Sequence, residues 1–226
     1  MEEFNYTYQD GTKLLSTSEK REATDTTPGI KPEANEELRA GLADAADKNT
    51  VQQVAIKFEQ TCTANQDEIA AKCASLIGNF RNAAGSEYEG DRAMKNKFHV
   101  GSLMPKSVSS IMAELKYLAN VSADKMDVFK KHGLTDADFA NLTAFSGELE
   151  KADTDQEGAK SAQKIATKAR DLALKRLAKA MRRIRRDAKI VFKNQPLTLI
   201  EFEKIPLPPP GRKPSQPGDA KNPPVK

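Results

Sequence analysis

Apolar residues recur at spacings of three, four and seven residues over most of the chain, which is the period of amphipathic helices. The pattern predicts a first long helix from about Pro32 to Gly85, and the polar stretch around Asn49 leaves open a break there. Its expected core face consists of Leu38, Leu42, Val51, Val54, Phe58, Cys62, Ile69, Cys73, Leu76, Ile77, Phe80 and Ala84.

A second helix is predicted from about Ser107 to His132. We expect it to end in a Schellman motif at Gly133, and Thr135 then caps the next helix with Asp138 three residues later. Such a short turn makes the second and third helices antiparallel neighbours. The expected core face of the second helix consists of Val108, Ile111, Leu115, Leu118, Ser122 and Phe129.

The third helix is predicted from about Asp136 to Lys193, and Gly158 and an internal capping pattern leave open a break near Asp153. A seven-residue frame gives it two core positions. One position holds Leu142, Leu149, Gln156, Gln163, Arg170, Leu177, Ile184 and Val191, and the other holds Phe145, Ala152, Ala159, Ala166, Ala173 and Ala180. The small alanines allow close helix packing, and the polar members must either meet polar partners or lie beyond the packed region.

The remaining segments are expected to be irregular. Residues 1–32 are polar and rich in turn formers, which predicts a flexible arm. Residues 86–106 form a long connection that caps one end of the bundle. Residues 206–226 form a proline-rich, disordered tail. The sequence thus predicts an all-α protein: an elongated antiparallel bundle of three long helices, or four if the last is broken, over residues 33–205.

Charge is distributed very unevenly along the chain. Residues 164–193 contain twelve Lys or Arg against two Asp or Glu, a net charge of +10, whereas the whole chain carries only +4. At 100° per residue most of these basic side chains fall on one side of the third helix, opposite Leu177 and Ile184. We call the following set the basic stripe: Lys168, Lys175, Lys179, Arg182, Arg183, Arg186, Lys189 and Lys193.

Three interpretations of the basic stripe remain open at this level. A run of charge is most often a solvated helix face. The stripe is alternatively a docking surface for an acidic protein, or for the acidic first half of the third helix of another copy. Finally, it is compatible with binding the phosphate backbone of a nucleic acid, although no aromatic residue or glycine-rich loop accompanies it.

The sequence carries little of the chemistry that enzymes need. No nucleophile elbow, P-loop or dinucleotide-binding motif is present. The two histidines, His99 and His132, are expected at the surface or at a helix end, and Cys62 and Cys73 are expected to be small core residues. We therefore expect no enzymatic activity, no metal or cofactor and no small-molecule substrate.

The expected compartment follows from segments that are missing. The first residues, MEEFNYTYQDG, have neither the basic nor the apolar region of a secretory signal. The chain has no apolar run of the roughly 18 residues that a membrane span requires. These features predict a cytoplasmic protein without a membrane partner.

The stretch from about His132 to Arg212 resembles a family of uncharacterised bacterial helical proteins. The resemblance rests on the Gly-Leu-Thr helix start, a midsection with Gln156, Gln163 and Thr167, an arginine-rich turn and the exit from Phe192 to Pro196. It implies a bacterial origin and an all-helical fold. The function that the sequence favours is a non-enzymatic structural, scaffold or protein-interaction protein that self-associates or binds another protein, and the alternative is nucleic-acid binding through the basic stripe.

Overall fold

The computed structural model describes residues 2–24 and 30–204, and every regular element in these ranges is an α-helix. The prediction of an all-α helical bundle is confirmed. The helices are α1 (Glu2–Thr24), α2 (Pro32–Glu87), α3 (Arg92–Lys97), α4 (Val108–Ser122), α5 (Met126–Lys130), α6 (Asp136–Val191) and α7 (Pro196–Glu201).

The described residues form two compact units, whereas the sequence predicted one bundle over residues 33–205. The first unit consists of the described residues up to Asp47 together with those from Asp171 onward, and the second extends from Lys48 to Arg170. Each unit has a hydrophobic cluster of its own. The long helices α2 and α6 supply residues to both units because the boundary falls within them.

The N-terminal segment is a correction to the sequence prediction, because residues 2–24 form α1 instead of a flexible arm. Phe4 and Leu14 of this helix are buried in the core of the first unit. Gly11 allows the close packing: a Cβ atom at this position would lie 3.0 Å from Leu42 Cδ2. The polar, turn-rich composition concealed the spacing of these few apolar residues, and tertiary packing outweighs the weak helix propensity.

The core of the first unit is completed by α6 and by the segment that follows it. Leu177 and Ile184 are fully buried, as the heptad frame predicted. Pro196 begins α7, where its missing N–H is not needed, and Phe202 at the end of α7 stacks on Phe192 with ring centroids 5.7 Å apart. The segment after α6 therefore packs through Phe202, while Leu197 remains exposed. The predicted tail over 206–226 lies outside the described residues.

The core of the second unit is built around aromatic rings at one end of α2. Phe98 contacts Phe129 edge to face with ring centroids 5.1 Å apart, and Phe80 contacts Phe139 in the same manner at 5.0 Å. Phe98 follows the short helix α3, so the 86–106 connection caps this end of the core as expected. Fully buried leucines of α4 and α6 complete the cluster: Leu115, Leu118, Leu142 and Leu149.

The turn between the second and third predicted helices has the expected geometry. Gly133 adopts φ +88°, and the N–H of Leu134 donates to the carbonyl of Phe129, as in a Schellman motif. The N–H of Thr135 donates to Asp138 Oδ2 at 2.7 Å, and the N–H of Asp138 donates to Thr135 Oγ1 at 3.3 Å. The predicted 107–132 helix, however, is divided into α4 and α5 by a turn.

Both long helices are continuous. α2 passes through Asn49 and α6 passes through Asp153 and Gly158 without a break. The side chains that resemble internal caps make contacts that a continuous helix allows: Thr154 donates to the carbonyl of Glu150 one turn earlier. Packing along the length of each helix therefore outweighs the roughly 1 kcal/mol that an interior glycine costs.

Candidate interaction surfaces

The basic stripe is exposed along its whole length. Lys168 belongs to the second unit, and the other seven members belong to the first. Lys193 lies in the turn directly after α6. The opposite side of α6 carries Leu177 and Ile184, which are buried, so the helix presents its charge away from the core as the wheel predicted.

Ion pairs neutralise some arginines of this region but leave most of the stripe unpaired. Arg183 binds Glu37 at 2.7 Å across the surface of the first unit. The neighbouring Arg185, which is not a stripe member, is nearly buried; it binds Asp10 at 2.6 Å and donates to the carbonyl of Phe202 at 2.9 Å. Within the described ranges, six members of the stripe in the first unit form no ion pair: Lys175, Lys179, Arg182, Arg186, Lys189 and Lys193.

The second unit contains a pair of helices whose inner surfaces carry polar side chains among small apolar ones. Ala159 and Ala166 of α6 are buried there among amide and carboxylate side chains. Several hydrogen bonds cross between the helices. Gln66 Nε2 donates to Asp153 Oδ1 at 2.6 Å, Gln156 Nε2 to Thr63 Oγ1 at 3.2 Å, and Gln52 Nε2 to Thr167 Oγ1 at 3.3 Å. Gln52 Oε1 also accepts a hydrogen bond from Arg170 Nη1 at 3.1 Å. As the residue number rises along α2 it falls equally along α6, so the first three bonds define an antiparallel register. We call this set of contacts the polar seam.

Large apolar side chains are exposed on the outer surface of the same helix pair. Val51 is 48%, Val54 62% and Phe58 57% exposed on α2, and Ile165 is 65% exposed on α6. Val51, Val54 and Phe58 follow the three–four spacing of a single helix side. In the register of the polar seam, Ile165 lies level with Val54, and each of the two points away from the other helix. We call the three residues of α2, Val51, Val54 and Phe58, the apolar face.

The apolar face corrects the sequence prediction, which assigned Val51, Val54 and Phe58 to the core of the bundle. Hydrophobic periodicity locates an apolar stripe but not the helix against which it packs. The signal for the correct arrangement lay in α6, whose core frame holds Gln156, Gln163 and Arg170. Polar seam residues require polar partners, so the facing side of α2 had to be its glutamine side and not its valine side.

The apolar face is followed along the pair by charged side chains that neutralise one another. Lys72 binds Glu68 at 2.7 Å, and this hydrogen bond lowers the pKa of Glu68 and raises that of Lys72. Lys151 binds Asp155 at 2.7 Å on α6. Each of these ion pairs joins residues one turn apart on the same helix.

The histidines and cysteines occupy structural positions. His99 stacks on Tyr117 with ring centroids 4.6 Å apart, and its Nδ1 lies 2.9 Å from Glu114 Oε2. His132 Nε2 lies 2.7 Å from Glu87 Oε2. Cys62 and Cys73 are free and buried, as predicted, and burial raises the pKa of the Cys73 thiol.

A buried ion pair was not anticipated from the sequence. Arg81 binds Glu114 at 2.8 Å and donates to the carbonyl of Ser102 at 3.1 Å. Both partners lie far apart in sequence and look like ordinary surface residues of amphipathic helices, so only the folded connection between α3 and α4 reveals the pair. Its role is to attach that connection to α2.

In the part of the chain that the structure describes, no group of histidine, cysteine and carboxylate side chains is arranged to hold a metal ion. No helix of residues 2–24 or 30–204 has the length and apolar character needed to cross a bilayer. No family model, curated protein or solved structure matches the chain. The surfaces described above are therefore the basis for inferring a function.

Proposed function

We propose that the protein is a non-enzymatic interaction protein that binds another protein chain on its exposed helical surfaces. The observation that supports this most strongly is the inverted polarity of the helix pair in the second unit. Its polar residues face inward at the seam, and Val54 and Ile165, which folding alone would bury, face water.

The energetic argument concerns what exposure costs. Burying a Val, Ile or Phe side chain completely contributes about 1.5–3 kcal/mol, so covering the exposed half of each member of the apolar face contributes about 1 kcal/mol. Single exposed apolar residues are common and need no explanation, but three on one side of one helix form a patch. A partner chain that covers this patch gains binding free energy from it.

Site-specific cross-linking tests the proposal. A photoreactive amino acid replaces Phe58 in the full chain, and in a control chain it replaces Gln60, which is exposed two residues later and points to the opposite side of α2. We expect protein adducts on irradiation in the source cells at position 58 and not at position 60. The absence of adducts from both positions, or equal adducts from both, would refute the function.

Nucleic-acid binding through the basic stripe is the second proposal, and the six unpaired basic residues of the first unit favour it. Binding to phosphates is independent of base sequence and weakens as salt rises. Gel-shift titrations of a random duplex at two salt concentrations test it, and no binding at low salt would exclude it.

The stripe offers a matched pair of variants for the same titration. Arg186→Gln removes an unpaired charge, whereas Arg183→Gln removes a charge that Glu37 already neutralises. If phosphates bind the stripe, Arg186→Gln lowers the slope of log K against log salt by about 0.9, and Arg183→Gln lowers it less. Equal effects of the two substitutions would count against direct phosphate contact.

A further inference from the structure

An aromatic ring lies beside the basic stripe in the folded first unit, although no aromatic residue is interspersed in the stripe itself. Tyr6 of α1 and Arg182 of α6 line the same cavity of about 200 Å³, together with Thr7, Ala178 and Met181. Tyr6 is half-buried, and its hydroxyl forms no hydrogen bond with any residue that the structure describes. A ligand in this cavity would therefore contact an aromatic ring and a guanidinium group together.

A second cavity continues from the first, between α6 and α7. It has a volume of about 570 Å³, shares Arg185 and Lys204 with the first cavity, and extends to Lys189. Arg185 Nε donates to the carbonyl of Phe202 at 2.9 Å, so the backbone shortly before Lys204 is held against α6. The two cavities thus form one channel along the side of α6, which we call the basic groove.

The basic groove carries a surplus of positive charge. Of the side chains that the structure describes, four basic ones and two carboxylates line it, a net charge of +2. Asp10 is bound by Arg185 at 2.6 Å, so these two neutralise each other, whereas the second carboxylate, Glu203, is exposed at the rim. Three exposed cations form no ion pair within the described ranges: Arg182, Lys189 and Lys204. An anion in the groove therefore meets three unpaired cations and one carboxylate.

We infer that the basic groove binds single-stranded nucleic acid, with an unpaired base stacked on the Tyr6 ring and the neighbouring phosphates bound by Arg182, Lys189 and Lys204. The inference rests on the second proposed function, nucleic-acid binding, and specifies its substrate. Stacking on an aromatic side chain tolerates any sequence because every base has a π face. The planar guanidinium of Arg182 offers phosphate oxygens a fork of donors.

The Tyr6 ring favours a single strand over a duplex. In a duplex each base is paired and stacked between its neighbours, so an aromatic ring on the protein cannot reach its face unless the base is first taken out of the stack. In a single strand the bases are already accessible. The unpaired cations of α6 also follow one side of the helix from Lys175 to Lys193, over about 27 Å, and a single backbone can follow that line.

The same ring distinguishes a nucleic acid from an acidic protein. The carboxylates of a protein surface would be attracted by the cations of the groove, but Asp and Glu side chains have no aromatic face to stack on Tyr6. A nucleic acid uses both features of the groove, because it carries a ring and a negative charge in every nucleotide.

Binding of short labelled probes to the full chain tests the inference. The probes are a single-stranded DNA of about 12 nucleotides, the RNA of the same sequence, the corresponding DNA duplex and a peptide of about 12 glutamates. At the same low salt concentration we expect at least one single strand to bind about fivefold or more tightly than the duplex and the peptide, although the duplex carries more charge. Equal or tighter binding of the duplex or of the glutamate peptide would overturn the inference.

Variants of the chain separate stacking from charge. Tyr6→Leu is expected to weaken binding of the single strand about tenfold without changing the slope of log K against log salt, whereas Tyr6→Phe retains the affinity. Arg182→Gln combined with Lys189→Gln is expected to lower that slope by about 1.4. Tyr8→Leu is the control that retains binding, because Tyr8 stacks on Phe4 and lines neither cavity. Binding that Tyr6→Leu leaves unchanged overturns the assignment.

Tyrosine emission reports the stacking directly, since the chain has four tyrosines and no tryptophan. We expect the single strand to quench part of the emission of the unchanged chain. The Tyr6→Phe chain binds equally well but lacks this part of the quenching, and it corrects for light that the oligonucleotide absorbs. Equal fractional quenching of the two chains would contradict stacking on Tyr6.

The inference and the nucleic-acid proposal fail in distinguishable ways. If the duplex binds as tightly as the single strands and Tyr6→Leu has no effect, phosphates bind the stripe without the groove; the inference then fails and the nucleic-acid proposal stands. If no nucleic acid binds at low salt, both fail, and binding of the glutamate peptide alone would identify an acidic protein as the partner of the groove.

Discussion

Replacement of Gln156 by leucine tests how much stability the polar seam contributes. Gln156 is buried and donates one hydrogen bond, to Thr63 Oγ1 at 3.2 Å. A buried leucine gains about 2 kcal/mol from the transfer of its side chain out of water, and the lost hydrogen bond costs about 1 kcal/mol. Leucine and glutamine have similar helix propensities. We therefore expect Gln156→Leu to raise the free energy of unfolding by about 1 kcal/mol.

Gln66→Leu is expected to act in the opposite direction. Gln66 Nε2 donates to Asp153 Oδ1 at 2.6 Å, and hydrogen bonds to a carboxylate are worth about 1.5–3 kcal/mol. Leucine also leaves the half-buried Asp153 without this donor. The loss exceeds the gain from burial, so we expect the free energy of unfolding to fall by about 1 kcal/mol.

Urea unfolding followed by circular dichroism measures both changes. Gln60→Leu is the matched control, because Gln60 is exposed on α2 and its replacement is expected to change the free energy of unfolding by less than about 0.5 kcal/mol. A fall in stability for Gln156→Leu, or a change of the same sign for Gln156→Leu and Gln66→Leu, would show that neutral and charged hydrogen bonds of the seam do not differ as argued.

Three further predictions concern single sites. Gly147→Ala is expected to raise the free energy of unfolding by about 1 kcal/mol, because alanine favours the helix and nothing lies within 4 Å of the added Cβ. Gly133→Ala is expected to lower the free energy of unfolding, because Gly133 has a φ of +88°. Thermal melts of the two variants compare these effects. Arg81→Met leaves the Glu114 carboxylate buried without its guanidinium, and we expect urea unfolding to show a loss of about 3 kcal/mol. Cys73 is expected to resist alkylation until the chain unfolds, since burial both blocks the thiol and raises its pKa; rapid modification of the native chain, followed by mass spectrometry, would contradict this.

The parts of the fold that were predicted correctly are those encoded by local patterns. The Schellman ending at Gly133 and the capping box of Thr135 and Asp138 each depend on residues within a single turn, and the structure has both. The heptad frame of α6 placed Leu142 and Leu177 in the core, where they are fully buried. Because these features depend on residues close together in the chain, the local sequence is enough to predict them.

The parts that were predicted incorrectly depend on which surfaces meet. Phe4 and Leu14 are buried only because Leu42 and Leu177 lie against α1, and no local signal in the first residues announces that contact. The prediction that Val51, Val54 and Phe58 belong to the core was wrong for the same reason. A helix with both a glutamine side and a valine side can bury either, and the choice depends on the polar residues of the opposing helix.

The polar side chains at the seam of the α2–α6 pair fix the register of the two helices, which apolar side chains at the same positions would not do. Apolar contact is non-directional, so a valine seam would tolerate a shift of one helical turn. The hydrogen bonds of the seam are directional and three of them share one offset, so a shift breaks Gln66–Asp153 and Gln52–Thr167 together. A seam of this kind fixes Val54 level with Ile165 and, at the same time, leaves both exposed. Leucine at Gln156 should therefore stabilise the pair while weakening its register.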